Sequence, residues 1–74
     1  MTRLPMVTSN RLVRTLERLG FRKKHQKGSH LFMEHADGRA TVIPMHKGED
    51  IGRGLLRKIL RDIRMEPTEF MQFV

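Results

Sequence analysis

FRKKHQKGSHLFMEHADGRATVIP, residues 21–44, decides the fold. Its first seven residues, Phe21–Lys27, carry four positive charges and are too polar for a strand buried on both faces. An edge strand fits, because charged edges deter unwanted pairing. Gly28 breaks the run, and Ser29–His35 reads as a second strand. Leu31, Phe32 and Met33 are consecutive apolar residues, so alternation alone does not say which of them faces inward. Ala36-Asp37-Gly38-Arg39 is a hairpin turn with Asp-Gly at its centre, a strong short-range hairpin signal. Ala40–Ile43 is β-branched and apolar, and Pro44 ends it. The spacing predicts a three-stranded antiparallel meander.

On the N-terminal side, Thr8 and Ser9 are good helix caps. Leu12, Val13, Leu16 and Leu19 then recur at helical spacing until Gly20. A first helix over about Ser9–Leu19 follows, with Arg11, Arg14 and Arg18 on its wet face. Met1–Val7, with Pro5 and no clear period, reads as an extended, partly mobile lead-in. On the C-terminal side, Met45–Ile51 reads as a loop. Leu55, Leu56, Ile59, Leu60 and Ile63 form the apolar stripe of a second helix over about Gly52–Ile63. Met65-Glu66-Pro67 is a break, and Pro67 suits the first position of a short last helix, Thr68 to Phe73. There Phe70, Met71 and Val74 are expected to pack back on the core. The expected fold class is α+β, in the order α-β-β-β-α plus a short C-terminal helix. Both long helices lie on one sheet face and the other face is open, the layout of a double-stranded-RNA-binding domain.

The chain has 74 residues, enough for one small domain. Lys and Arg number 15 against 8 Asp and Glu, a net charge of +7. So strong a positive field on so small a body attracts polyanions, with nucleic acid or an acidic protein as the expected partner. Four Phe with no Tyr or Trp are few for a base-stacking single-strand binder, so backbone contact is favoured. No cysteine is present, which excludes disulfides and a thiol nucleophile. No apolar run approaches the ~20 residues of a membrane span, and no signal-peptide pattern is visible, so a cytoplasmic location is expected.

Chemistry narrows by elimination. No Gly-rich phosphate loop joins a strand to a helix. Ser29 and His30 are neighbours on a strand, so their side chains diverge and do not form a dyad. His25, His30, His35 and His46 are not spaced to converge on a metal, and none is expected. A single histidine acting as acid or base remains. RNA supplies its own nucleophile, the 2′-hydroxyl, so a ribonuclease needs only a proton acceptor, a proton donor and cations. His30, beside Gly28 and downstream of Lys23, Lys24 and Lys27, meets those needs best. The plainer alternative is a polar residue at a strand start. The basic strip, likewise, is either a solvated edge or a phosphate track.

The ordered set LERLGF, KGSHLFM, HADGRATVIPMH and IGRGLLRKIL, spanning about Ser9–Ile63, resembles the HicA-type toxins, small ribonucleases of toxin–antitoxin pairs. The resemblance implies a fold like that of double-stranded-RNA-binding domains over a single domain, residues 1–74. It also implies cleavage of messenger RNA without metal or cofactor, which inhibits translation and growth, and neutralisation by a HicB-type antitoxin. The family's catalytic histidine falls on His30, and its glycine and serine fall on Gly28 and Ser29. Its Pro-x-His element falls on Pro44 and His46, with no catalytic role attached. Two positions depart from many relatives: Leu31, where a second polar residue is frequent, and Leu55, where a small hydroxyl residue is. Lys23, Lys24, Lys27 and Arg39, by their charge, are expected to hold the RNA backbone, with Gly28 and Ser29 helping to orient the scissile phosphate. A binding module of the same fold without catalysis is the alternative.

Overall fold

The computed structural model describes residues 3–74. Its elements run β1 (Val7–Thr8), α1 (Ser9–Arg18), β2 (Phe21–Lys27), β3 (His30–His35), β4 (Ala40–Pro44), β5 (Asp50–Ile51), α2 (Arg53–Asp62) and α3 (Pro67–Phe70). The expected meander is present: β2, β3 and β4 pair antiparallel in that order. Thr8 is the cap of α1, its hydroxyl accepting from the Arg11 N–H at 3.2 Å. Pro67 occupies the first turn of α3 as its fixed φ suggests.

Both long helices lie on one face of the meander. Leu31 and Met33 of β3 and Ile43 of β4 are buried among Leu12, Leu16, Leu56, Ile59 and Leu60 from α1 and α2. This resolves what alternation left open: Leu31 and Met33 point inward, and Phe32 between them points out. Each fully buried side chain of this kind contributes about 1.5–3 kcal/mol over an exposed one. Among the described residues, the opposite face carries no helix.

A turn closes each hairpin with different chemistry. At the β3–β4 end, the Gly38 N–H donates to the His35 carbonyl (3.0 Å) and the His35 N–H donates to the Arg39 carbonyl (2.8 Å). Gly38 sits at φ +98°, so the loop is a three-residue one with glycine in the left-handed position. Just before β2, Gly20 (φ +98°) ends α1, and a Cβ there would stand 2.7 Å from His35 Nε2. Only glycine satisfies both the backbone angle and that approach.

Several expectations change. The mobile lead-in over residues 1–7 is replaced, from Leu4 on, by packed chain. Leu4 and Val7 belong to the core, and the Arg53 Nε donates to the Leu4 carbonyl at 2.6 Å. Met1 and Thr2 lie outside the described residues. The Met45–Ile51 loop ends in a strand, since Val7 pairs with Ile51 and Thr8 with Asp50 in a second, two-stranded sheet. Two-residue strands are too short for any period to reveal them. Leu55 leaves the apolar stripe of α2 and is 37% exposed. It lies about 100° around the helix from Leu56, past the rim of the buried face. Met71 is exposed at 40%, whereas Phe70 is buried and Val74 partly so. One side of the last turn packs inward and Met71 falls on the other.

The β3–β4 turn also carries a pH effect. The Arg39 backbone N–H, donating to Asp37 Oδ1 at 3.0 Å, and then the Arg39 side chain hold the Asp37 carboxyl below its usual range. A depressed carboxyl contributes stability above its unfolded value of ~3.9, and that stability is lost as the pH falls through the folded value. Thermal midpoints measured from neutral pH down to pH 2 should fall less steeply for Asp37→Asn than for the parent chain.

Candidate active site

Lys27 and His30 are Cα partners with only Gly28 and Ser29 between them. Gly28 takes φ +60° and Ser29 stays on the ordinary side of the map, which matches a two-residue hairpin with glycine at its first central position. Gln26 Nε2 donates to the Gly28 carbonyl at 3.0 Å, and the Met45 N–H donates to the Ser29 carbonyl at 2.6 Å. The Ser9 hydroxyl donates to the Pro44 carbonyl at 2.6 Å. These bonds fix the turn against the end of β4 and the start of α1. The strand beginning at His30 is therefore held rigidly although its first side chain is exposed.

The open sheet face is organised in rows by the strand register. Lys27, His30 and Pro44 form the end row, His25, Phe32 and Val42 the next, and Arg22, Glu34 and Ala40 the third. The rows depend on an irregularity in β2, where the register shifts between Lys23 and His25. The extra residue, Lys24, lets Phe21 point into the core while His25 and Lys27 point outward. Without it His25 would share the inward face of Phe21, since side chains alternate with a period of two. The His25 ring instead lies flat on Phe32, centroids 4.4 Å apart and planes 15° from parallel.

The predicted residues fall in three places. His30, Lys27, Gly28 and Ser29 come together at one end of the sheet. Lys23 and Lys24 extend the positive edge along β2, Lys24 Nζ lying 3.5 Å from Glu34 Oε2. Such an exposed pair is weak and leaves the lysine free to exchange partners. Arg39 is not brought to His30. It sits at the far hairpin, its Nε on Asp37 Oδ2 (2.9 Å), its Nη1 on the Ile63 carbonyl (2.8 Å) and its guanidinium over Phe21 at 5.1 Å. These contacts tie the turn to the end of α2.

The remaining histidines have distinct surroundings. His35 is half-buried at the far hairpin, its Nδ1 accepting from the Asp37 N–H at 3.0 Å and its ring edge-on to Phe21. His46 is exposed beside Thr8, Asn10 and Lys47, in the loop that follows Met45. Among the described residues no three His, Cys, Asp or Glu side chains are grouped to hold a metal ion. No described helix is long and apolar enough to cross a membrane.

A protein-family model described as "HicA toxin of bacterial toxin-antitoxin" matches residues 9–65. The chain belongs to the HicA toxin family. No curated protein matches it. The family match begins at the first residue of α1 and ends just beyond α2, so it contains the whole meander and the His30 turn. In this HicA-family fold the strand pairing, rather than a cleft, assembles the candidate groups: the exposed His30 imidazole, the Lys27 ammonium on the strand position directly opposite it, and a glycine turn beside them. His25 was not singled out by sequence, because its side of β2 depends on the bulge at Lys24.

Proposed function

We propose that the chain is the toxin of a toxin–antitoxin pair and acts as an endoribonuclease on messenger RNA, with His30 as the proton-transfer residue that activates the 2′-hydroxyl. The reading rests on one observation above all: in a HicA-family fold, His30 and Lys27 face each other on the open sheet face across a rigid two-residue turn. Lys27 holds a non-bridging phosphate oxygen and offsets the charge that grows on phosphorus. The open Gly28 lets the RNA backbone approach closely, since nothing lies within 4 Å of where a Cβ would be. Ser29 orients the phosphate, and Lys23 and Lys24 carry the strand along the β2 edge.

Cleavage of this kind uses no metal and no cofactor. In the cytoplasm it inhibits translation and growth. A HicB-type antitoxin neutralises it by covering the His30 face, and the net charge of +7 favours an acidic cover.

The deciding experiment incubates the purified protein with messenger RNA in EDTA. Cut RNA ending in 2′,3′-cyclic phosphate is the expected product, and added antitoxin suppresses it. RNA that is retarded on a gel but stays intact would instead make the chain a binding module, its affinity falling steeply with salt.

A further inference from the structure

One proton transfer has an owner in His30; the leaving 5′-oxygen needs another. Resting on the ribonuclease reading above, we infer that His25 is the general acid that protonates the 5′-oxygen as the phosphodiester breaks.

The strand register carries this assignment. His25 is the Cα partner of Phe32, and Phe32 is two residues along β3 from His30 on the same face. His25 and His30 are therefore diagonal neighbours in adjacent rows, their Cα atoms roughly 7–8 Å apart with the side chains somewhat closer. Two imidazoles at that separation flank one phosphate, one on the side of the attacking oxygen and the other on the side of the leaving oxygen. The β2 bulge at Lys24 is what turns His25 onto this face, and bulges recur where a strand must re-aim a side chain next to a site. Phe32 lies flat against one face of the ring. That support orients the ring plane, and His25 is exposed to solvent. The charged groups around the pair are Lys27 in the same row as His30, Lys24 in the bulge, and Arg22 and Glu34 one row further on. Val42 and Pro44 of β4 contribute no charge.

The step balances without oxidant or added co-reactant. The 2′-oxygen forms a bond to phosphorus and its proton passes to neutral His30. The bond from phosphorus to the 5′-oxygen breaks, and that oxygen takes the proton of the His25 imidazolium. The products are a 2′,3′-cyclic phosphate and a 5′-hydroxyl end. Water then returns the two histidines to their starting forms.

A sulfur in place of the bridging 5′-oxygen tests the assignment, because a thiolate departs without being protonated. An RNA is made with this single substitution at a linkage the wild-type chain cuts. His25→Gln should cut the all-oxygen RNA about 10²-fold more slowly than wild type, at the lower end of what general acids contribute. It should cut the sulfur-linked RNA at the wild-type rate. His30→Gln should be slow on both, which separates the acid from the base. Equal slowing of His25→Gln on both RNAs, or no slowing on either, overturns the assignment. Circular dichroism of the variant confirms that it is folded in each comparison. If the wild-type chain cuts neither RNA, the ribonuclease reading itself falls and the His25 assignment with it.

Discussion

His30→Ala should slow RNA cleavage by about 10²–10⁴-fold, the range spanned by positioned proton-transfer groups. The fold should survive. His30 is exposed at the first position of β3, and its strand is held by the Gly28–Ser29 turn, by the Met45 N–H on the Ser29 carbonyl and by pairing with Lys27 and Pro44. Truncating an exposed side chain away from core and caps usually changes stability by less than ~0.5 kcal/mol. RNA binding should also survive, because Lys23, Lys24 and Lys27 remain. A gel that resolves binding from cutting, together with growth of cells expressing the variant, reads both consequences. Retained retardation, lost cleavage and relieved growth arrest are the expected triad. Undiminished cleavage by His30→Ala would remove the residue from the mechanism, whatever its position in the family pattern.

Phe21→Ala should remove a large part of the protein's stability and lower its thermal midpoint sharply. Phe21 is among the largest fully enclosed side chains, 2% exposed. It receives the edge of the His35 ring at 5.1 Å and lies under the Arg39 guanidinium at the same distance. Phe→Ala in a core costs ~3–5 kcal/mol from lost transfer energy and the cavity left behind. A chain of this length has a total stability of only roughly 4–11 kcal/mol, at ~0.05–0.15 kcal/mol per residue. The substitution therefore takes a large part of the margin. It also loosens the far hairpin, whose Arg39 and His35 both rest on this ring. Phe21→Leu keeps most of the volume and should lose much less. Thermal melts of the two variants check the ordering: a Phe21→Ala midpoint close to that of the parent would mean the ring is not a keystone of this core.

The meander, both long helices and the short last helix were legible in the sequence. Their signals are local: Gly20, Gly28 and the Asp-Gly pair punctuate the strands, and the leucine spacing of residues 12–19 and 56–63 marks the helices. The β1–β5 pair was not legible, because two-residue strands have no period and their partners stand 42 and 44 positions apart, a distance no local pattern spans. The grouping of the candidate site was half legible. His30, Lys27, Gly28 and Ser29 are contiguous, so any hairpin places them together. The relation of His25 to His30 depends on a single extra residue in β2, and nothing in FRKKHQK tells which residue bulges. Arg39 shows the reverse difficulty. It is cationic and follows a turn, as an RNA contact would, yet two hydrogen-bond acceptors and an aromatic ring already hold it.

The clasp at the chain's N-terminal side has a practical consequence for anyone trimming this toxin to its recognisable segment. Kinship is written in residues 9–65, but Leu4, Val7 and Phe70, all sealed in the interior, lie outside those limits. A protein cut to the matched stretch would expose the apolar surfaces these three side chains cover. It would also leave Ile51 without its strand partner and Arg53 without the Leu4 carbonyl. The stretch that identifies the family is thus shorter than the stretch that closes the core, and expression boundaries belong outside residues 4–70.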